Sequence, residues 1–389
     1  MKVIYSIGSH FGTTGIGYTA YNAVRGIERA GYLEKLICLD HKKTEIPENK
    51  IKNFRVLKYL VWFPLKGIQR YLVPVFNPYL VLDNLYDLLS LLHVSKCDIF
   101  HGWRGHSYYA VRKAKKLGAT IVVENASSHP VTQNKLLEEE YAKYGLRFKA
   151  YAKRQLEKAK KELELADYIT VPSDFAKQSF IENGFPENKL IKIPFGVDLN
   201  KFSSKKDKGD GKFRVIFVGS VMLRKGVQYL LQAWKELNLK NAELILVGPL
   251  WKDAEKITGL YQKDDSIKFV GFADPREHYK QSDVFVFPSI EEGSALVTYE
   301  AMASGLPIIT TFNSGSIIRE GKDGFIVPIR DVETLKEKIF YLYKNPKIRE
   351  KMGKSARGHA EKFTWEKYGK NLVKAYDRIM KNENQKIYP

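Results

Sequence analysis

Glu292 and Glu300 are the residues of this 389-residue chain whose type and spacing most directly suggest chemistry. They stand eight positions apart in Pro288-Ser-Ile-Glu-Glu-Gly-Ser-Ala-Leu-Val-Thr-Tyr-Glu-Ala-Met-Ala-Ser-Gly-Leu-Pro307. Just before them, Asp283-Val-Phe-Val-Phe-Pro288 reads as a buried parallel strand ending at a proline. Ser294 is the expected N-cap of a helix running from Ala295 to about Ser304. Loop carboxylate, helix start and second carboxylate thus converge at the carboxyl end of a strand, where open α/β sheets bind ligands. Unpaired amides at a helix start suit a phosphate. Ionised carboxylates accept hydrogen bonds from hydroxyls and repel phosphate. A nucleotide sugar carries sugar hydroxyls, a diphosphate and ribose hydroxyls together. Two other readings fit the same pair: ordinary surface glutamates, or the acid and base of a glycoside hydrolase.

The elements that must position these residues repeat along the chain. Short β-branched or aromatic strands alternate with helical stretches, the mark of parallel α/β layers. The first half offers strands at Val3–Ile7, Leu36–Leu39, Asp98–His101, Thr120–Glu124, Tyr168–Val171 and Ile191–Ile193. The second offers Phe213–Val218, Glu243–Val247, Ile267–Val270, Val284–Phe287, Pro307–Thr310 and Phe325–Val327. Ala166-Asp-Tyr-Ile-Thr-Val-Pro-Ser173 and Ser282-Asp-Val-Phe-Val-Phe-Pro-Ser289 echo one another. Two doubly wound sheets, one per half, account for the echo. The polar, glycine-containing stretch 203–212 reads as the linker between them. The chain closes on an amphipathic helix from Thr364 to Met380. A cleft between two such domains is where a bisubstrate enzyme brings its reactants together.

Composition narrows the classes. The length favours two domains over one. Cys38 and Cys97 are the only cysteines, too few for a disulfide framework, which fits a reducing cytosol. The amino terminus reads as a short strand followed by glycine rather than a secretory signal, and no run of about 18 apolar residues occurs. The net charge of +20 is divided evenly between the halves, which argues against a detached nucleic-acid-binding tail. It is compatible with anionic ligands or an anionic surface.

Gly15-Ile-Gly-Tyr-Thr-Ala20 fits G-x-G-x-x-A, and Asp40 follows about 20 residues later, the dinucleotide fingerprint. A dehydrogenase using NAD is therefore one reading. Against it, Ser9–Thr14 separates Gly15 from the first strand, where the turn should follow at once. His10, His101 and His129 fall near strand ends. Such histidines can bind zinc, line a cleft or satisfy local backbone groups.

The second half closely resembles the retaining glycosyltransferases of family 4. The matching pieces are Pro194-Phe-Gly-Val-Asp198, Phe217-Val-Gly-Ser-Val-Met-Leu-Arg-Lys-Gly-Val227, the Glu292/Glu300 segment, Ala303-Ser-Gly-Leu-Pro307 and Gly321-Lys-Asp-Gly-Phe-Ile-Val327. The first half matches more loosely, through its glycine loop and its histidines. The resemblance implies the α/β GT-B fold, two facing Rossmann-like domains with a cleft between them. Residues 1–195 would bind the acceptor and 196–365 the nucleotide sugar, with a terminal helix at about 366–389 packing back on the first domain. It further implies that Arg224 and Lys225 neutralise a diphosphate leaving group by fixed charge. Glu300 would hold ribose hydroxyls and Glu292 would lie against the donor sugar. Gly219, and the amides of Gly293, Ser294, Ala295 and Leu296, would contact the donor, with Gly15 and Gly17 beside the diphosphate. His129 matches the family's histidine near the donor sugar; His10 and His101 are candidates for the acceptor pocket. Glu291 has no assigned role, and Ala295 stands where the family often has glycine. No Asp-x-Asp pair occurs, so no metal or other cofactor is expected.

The resemblance implies hexose transfer from a nucleoside diphosphate sugar, such as a UDP- or GDP-sugar, to an acceptor hydroxyl. The aromatic stretch 59–79 and the basic stretch 143–161 suggest a peripheral membrane surface and a lipid-linked acceptor. A soluble sugar or polysaccharide precursor is the other choice. Two rivals predict different behaviour: an enzyme of soluble sugars on the same fold, and a non-catalytic nucleotide-sugar or polyanion-binding protein. No nucleic acid partner is expected.

Overall fold

A computed structural model describes residues 1–42, 44–66, 78–148, 153–203 and 210–387. Residues 67–77 of the aromatic stretch, 149–152 of the basic stretch and 204–209 of the linker lie outside the described residues.

Among the described residues, thirteen strands form two entirely parallel sheets. The first contains β1 (Val3–Phe11), β2 (Leu33–His41), β3 (Ile51–Asn53), β4 (Ile99–Trp103), β5 (Thr120–Glu124), β6 (Tyr168–Val171) and β7 (Leu190–Lys192). Their order is β3-β2-β1-β4-β5-β6-β7. The second contains β8 (Phe213–Val218), β9 (Ala242–Val247), β10 (Ile267–Gly271), β11 (Val284–Phe287), β12 (Ile308–Thr311) and β13 (Gly324–Val327), in the order β10-β9-β8-β11-β12-β13. Central strands such as β4 and β11 are buried along their whole length, as expected where helices cover both faces of a parallel sheet. Each sheet reverses its winding once, between β1 and β4 and between β8 and β11. Loops leave the carboxyl ends of those strand pairs in opposite directions, which opens a crevice at each reversal.

β1 departs from its sequence reading. It continues past Gly8 to Phe11, with a register irregularity against β2 between Ile7 and His10. The glycine loop therefore follows the strand directly, and Gly15, at φ 59°, starts the helix Ile16–Arg29. A Cβ on Gly17 would collide with the carbonyl of His10, so glycine permits the helix to sit this close to the strand.

The chain passes between the sheets twice. Val197 donates its amide to Phe363 O at 3.0 Å, and a Cβ on Gly196 would collide with the Thr364–Trp365 backbone. The two crossings thus run side by side. The final helix, Trp365–Ile387, lies along Ile16–Arg29, with Gly26 and Gly369 backbone to backbone. Its buried tyrosines reach the first sheet: Tyr368 OH donates to Glu124 Oε1 at 2.7 Å, and Tyr376 OH lies 2.6 Å from His101 Nδ1. No helix among the described residues is long and apolar enough to cross a membrane.

Candidate active site in the interdomain cleft

The crevices at the two reversals face one another. Between them is a cavity of about 810 Å³. The first domain contributes Ile16 from the start of the helix after the glycine loop, the segment Arg104–His106 after β4, and Ala126 and Ser127 after β5. The second contributes Arg224 from the loop after β8, and Glu292 and Gly293 from the loop after β11.

The cationic pair is built into a tight turn. Leu223–Lys225 forms a single 3-10 turn that ends at Gly226, with φ 72°. A Cβ on Gly226 would collide with Pro288 O, so this glycine lets the two loops of the second domain touch. Lys225 Nζ bonds directly to Glu292 Oε1, and Arg224 Nε lies 3.6 Å from the same oxygen. Burial pulls the Lys225 ammonium below its ordinary value, and the carboxylate of Glu292 opposes that pull. Two cations and a carboxylate are thereby packed together at the end of β8.

Glu291, which the sequence left without a role, is fully buried and the most heavily bonded carboxylate here. Its Oε2 pairs with Arg224 Nη2 at 2.9 Å and accepts from Gln133 Nε2 at 2.9 Å. Its Oε1 accepts from Ser127 Oγ at 3.0 Å and Ser128 Oγ at 2.6 Å. Burial pushes this carboxyl up, but the Arg224 charge and the hydroxyl and amide donors outweigh burial and hold it below its ordinary value.

Gly293 lets the domains approach closely: a Cβ there would collide with Ala126 O. Its carbonyl accepts from Ser173 Oγ at 2.5 Å. Ser294 is not the cap that its sequence position suggests. Its hydroxyl turns inward to Tyr299 OH and Gly315 O, each at 2.9 Å, and the N-cap is Ala295, without a side-chain bond. The Ala295 amide is engaged by Ser314 O at 2.9 Å, so the first amides without a helical partner belong to Leu296 and Val297. Glu300 lies in the second turn of this helix, outside the cavity described above. Burial raises its carboxyl to about 7, and Tyr279 OH lies 3.4 Å from Oε2. Gly219 ends β8 at φ 141°, with Phe287 beneath it.

The three histidines have local duties. His101 is completely buried, stacked on Tyr5 at 4.6 Å, and bonded to Glu124 and Tyr376 through its two nitrogens. It is part of the core and cannot line an acceptor pocket. His129 is buried and caps the helix Pro130–Lys143, its Nδ1 accepting from Val131 N at 3.3 Å. Its ring packs against Phe180 and Phe185 rather than on the cavity wall. Burial, with Arg104 and Lys160 nearby, lowers its pKa to about 4. His10 pairs with Asp40 at 3.4 Å and lies outside the cavity lining.

Sequence reading missed the loop after β4. Gly105 and Ser107 donate their amides to the buried carboxylate of Glu162, which fixes the loop and presents Arg104 and His106 to the cavity. The usable signal was topological, since β4 adjoins β1 at the reversal. Arg154, Lys158 and Lys161 of the basic stretch border the same cavity.

Two family models match almost end to end: Glycosyltransferase Family 4 over residues 13–201, and Glycosyl transferases group 1 over residues 198–359. The chain belongs to the family 4, group 1 glycosyltransferases. The GT-B fold follows with it. Spore coat protein SA of Bacillus subtilis is 34% identical; the match covers 55% of this chain and 65% of that protein. The chain therefore spans just under two thirds of that relative's length. Sucrose-phosphate synthase of Thermosynechococcus elongatus shares the fold, with a TM-score of 0.68 at 19% identity over 98% of this chain and 100% of the other. Anabaena HepE, solved in complex with UDP-glucose, does so with a TM-score of 0.65 at 15% identity over 97% and 100%.

Proposed function

We propose that this glycosyltransferase moves a hexose from a UDP- or GDP-sugar to an acceptor hydroxyl, with retention at the anomeric carbon and without metal. The observation that carries this reading is the Arg224–Lys225 turn at the end of β8, where Arg224 faces the first domain across the cavity and Lys225 stands beside it against Glu292. Two fixed cations beside a diphosphate stabilise the charge that develops as the bond between the anomeric carbon and the phosphate oxygen breaks. The acceptor oxygen forms the new bond on the same face, and its proton passes to a phosphate oxygen of the departing nucleotide. Glu292 accepts from the donor sugar's hydroxyls and Glu300 from the ribose. The Lys225–Glu292 pair must open to admit the diphosphate. The UDP-glucose in the HepE structure supports UDP as the nucleotide.

The acceptor enters from the first domain, along the edge that carries Arg104, Arg154 and Lys161. Tyr59, Leu60 and Phe63 are exposed on this domain, which supports a lipid-linked acceptor taken from a membrane surface. The test is thermal stability with UDP, GDP, ADP and NAD in EDTA, followed by NMR of the product's anomeric proton. A nucleotide at about 100 times its Kd adds about 2.7 kcal/mol to stability. Lys225→Met is expected to lower kcat by about 10²–10³. Nucleotide binding without turnover on any acceptor would favour a binding protein, and a shift with NAD alone would refute the reading.

A further inference from the structure

We propose that Glu291 is a positioning residue through which contact between the domains sets the orientation of Arg224. This rests on the reading of Arg224 as a diphosphate-binding cation.

Glu291 belongs to the second domain, yet Oε1 is held entirely from the first. Ser127 Oγ, Ser128 Oγ and Ser128 N all donate to it, at 3.0, 2.6 and 3.3 Å. Oε2 is shared between the domains, taking Gln133 Nε2 from the first and Arg224 Nη2 from the second, both at 2.9 Å. Arg224 is gripped a second time by the same residue, since its Nε donates to the Glu291 carbonyl at 2.9 Å. A guanidinium pinned at two points keeps one plane, whereas a lysine ammonium would swivel. The side chain has no exposure to solvent, so an ionised Glu291 depends on these donors. Parting the domains removes every bond to Oε1 and one to Oε2, and the carboxylate then has no reason to keep its place. Arg224 follows, because its outer nitrogen is bonded to that carboxylate. The first domain thus sets the geometry of a donor-site cation through a carboxylate of the second.

The experiment uses the full chain, with Ser128→Ala, Glu291→Gln, Arg224→Ala and the double variant Glu291→Gln/Arg224→Ala. Hydrogen–deuterium exchange is followed at the amides of Lys225 and Gly226, which bond to Met222 O and Leu223 O in the Arg224 turn. Ser128 lies in the other domain, so faster exchange at these amides in Ser128→Ala, with the β8 and β9 peptides unchanged, is the expected result. Unchanged exchange at the turn overturns the proposal. This arm needs no turnover and decides the coupling even if the wild type releases no UDP from UDP-sugars, an outcome that would count against the function proposed above instead.

With an active wild type, Glu291→Gln is expected to lower kcat at least about tenfold while donor KM moves less than about threefold. Its effect should vanish in the Arg224→Ala background, because the two residues act as one unit. Effects that multiply would show that Glu291 acts independently of Arg224 and would overturn the proposal.

Discussion

The carboxylate of Glu140, on the last turn of the helix capped by His129, is buried in the opposite domain, where Arg330 Nε donates to Oε2 at 2.7 Å. Gln228 Nε2 and Tyr229 OH, also from the second domain, donate to Oε1 at 2.7 and 2.8 Å. Glu291 and Glu140 therefore cross the interface in opposite directions, each filling a polar socket in the other domain. Removing Glu140 takes the acceptor from Arg330 Nε and Tyr229 OH and one of two from Gln228 Nε2, while Arg330 keeps Glu139 and the Leu136 carbonyl. Glu140→Ala is expected to destabilise the protein by about 3 kcal/mol, read from urea unfolding. A loss below about 0.5 kcal/mol would mean that water takes over the socket.

Gly293→Ala tests how closely the domains must meet. A Cβ at this position cannot coexist with Ala126 O. The chain is expected to stay folded while the cleft is wedged apart. The expected outcome is a loss of about 10² in kcat/KM, the cost of displacing reacting groups by about an ångström. Small-angle scattering should report a larger radius of gyration than for wild type.

Glu300 carries a pH signature. Burial raises its carboxyl from 4.5 to about 7, so the folded chain keeps a proton that the unfolded chain has released. Between those values the folded state binds more protons, and Glu300's contribution to stability declines as pH rises through that window. Ribose hydroxyls favour the ionised form, so UDP affinity should improve from pH 6 to 8. Glu162 and Asp83 also titrate near 7, and UDP's own phosphate ionises in this range. The decisive quantity is therefore the difference between wild type and Glu300→Gln in calorimetric titrations. Equal pH slopes for the two proteins would remove Glu300 from the nucleotide site.

His129 separates a structural duty from a catalytic one. Its nitrogen caps a helix, and its pKa of about 4 keeps the ring neutral through the physiological range. His129→Asn retains a capping oxygen, whereas His129→Ala loses about 1 kcal/mol of capping. Both variants should keep kcat within about twofold when assayed well below their Tm. A drop of about 10² or more in the asparagine variant would return His129 to the reaction.

Most of the architecture was legible because a buried parallel strand writes a dense apolar word. Phe213–Val218 and Val284–Phe287 run where the composition puts them. β3 escaped because Ile51-Lys-Asn53 offers a single apolar residue, whereas β7, equally short and at the other edge, was legible through Leu190-Ile-Lys-Ile193. The echo between 166–173 and 282–289 has a cause other than equivalence. β6 lies far from β1, whereas β11 adjoins β8. What the segments share is an aspartate whose carboxylate accepts the backbone amide of the neighbouring strand, Asp167 from Ile121 at 2.9 Å and Asp283 from Arg214 at 2.8 Å. The site was half legible. Arg224, Lys225 and Glu292 assemble at the adjoining ends of β8 and β11, because short loops at a sheet reversal leave little choice. Glu291 was illegible because its partners, Ser127, Ser128 and Gln133, lie more than 150 positions away.

The terminal helix imposes an order on how the molecule is made. Glu124 and His101 leave the ribosome 244 and 275 positions before the tyrosines that satisfy them. Until Trp365–Ile387 is synthesised, the first sheet holds an acid and an imidazole with unfilled bonding capacity in what becomes its core. The second domain emerges later, yet it can close its own sheet first. The half of the protein that is translated first is thus the half that finishes last, and the nascent chain carries a sheet without its covering helix until the end of elongation.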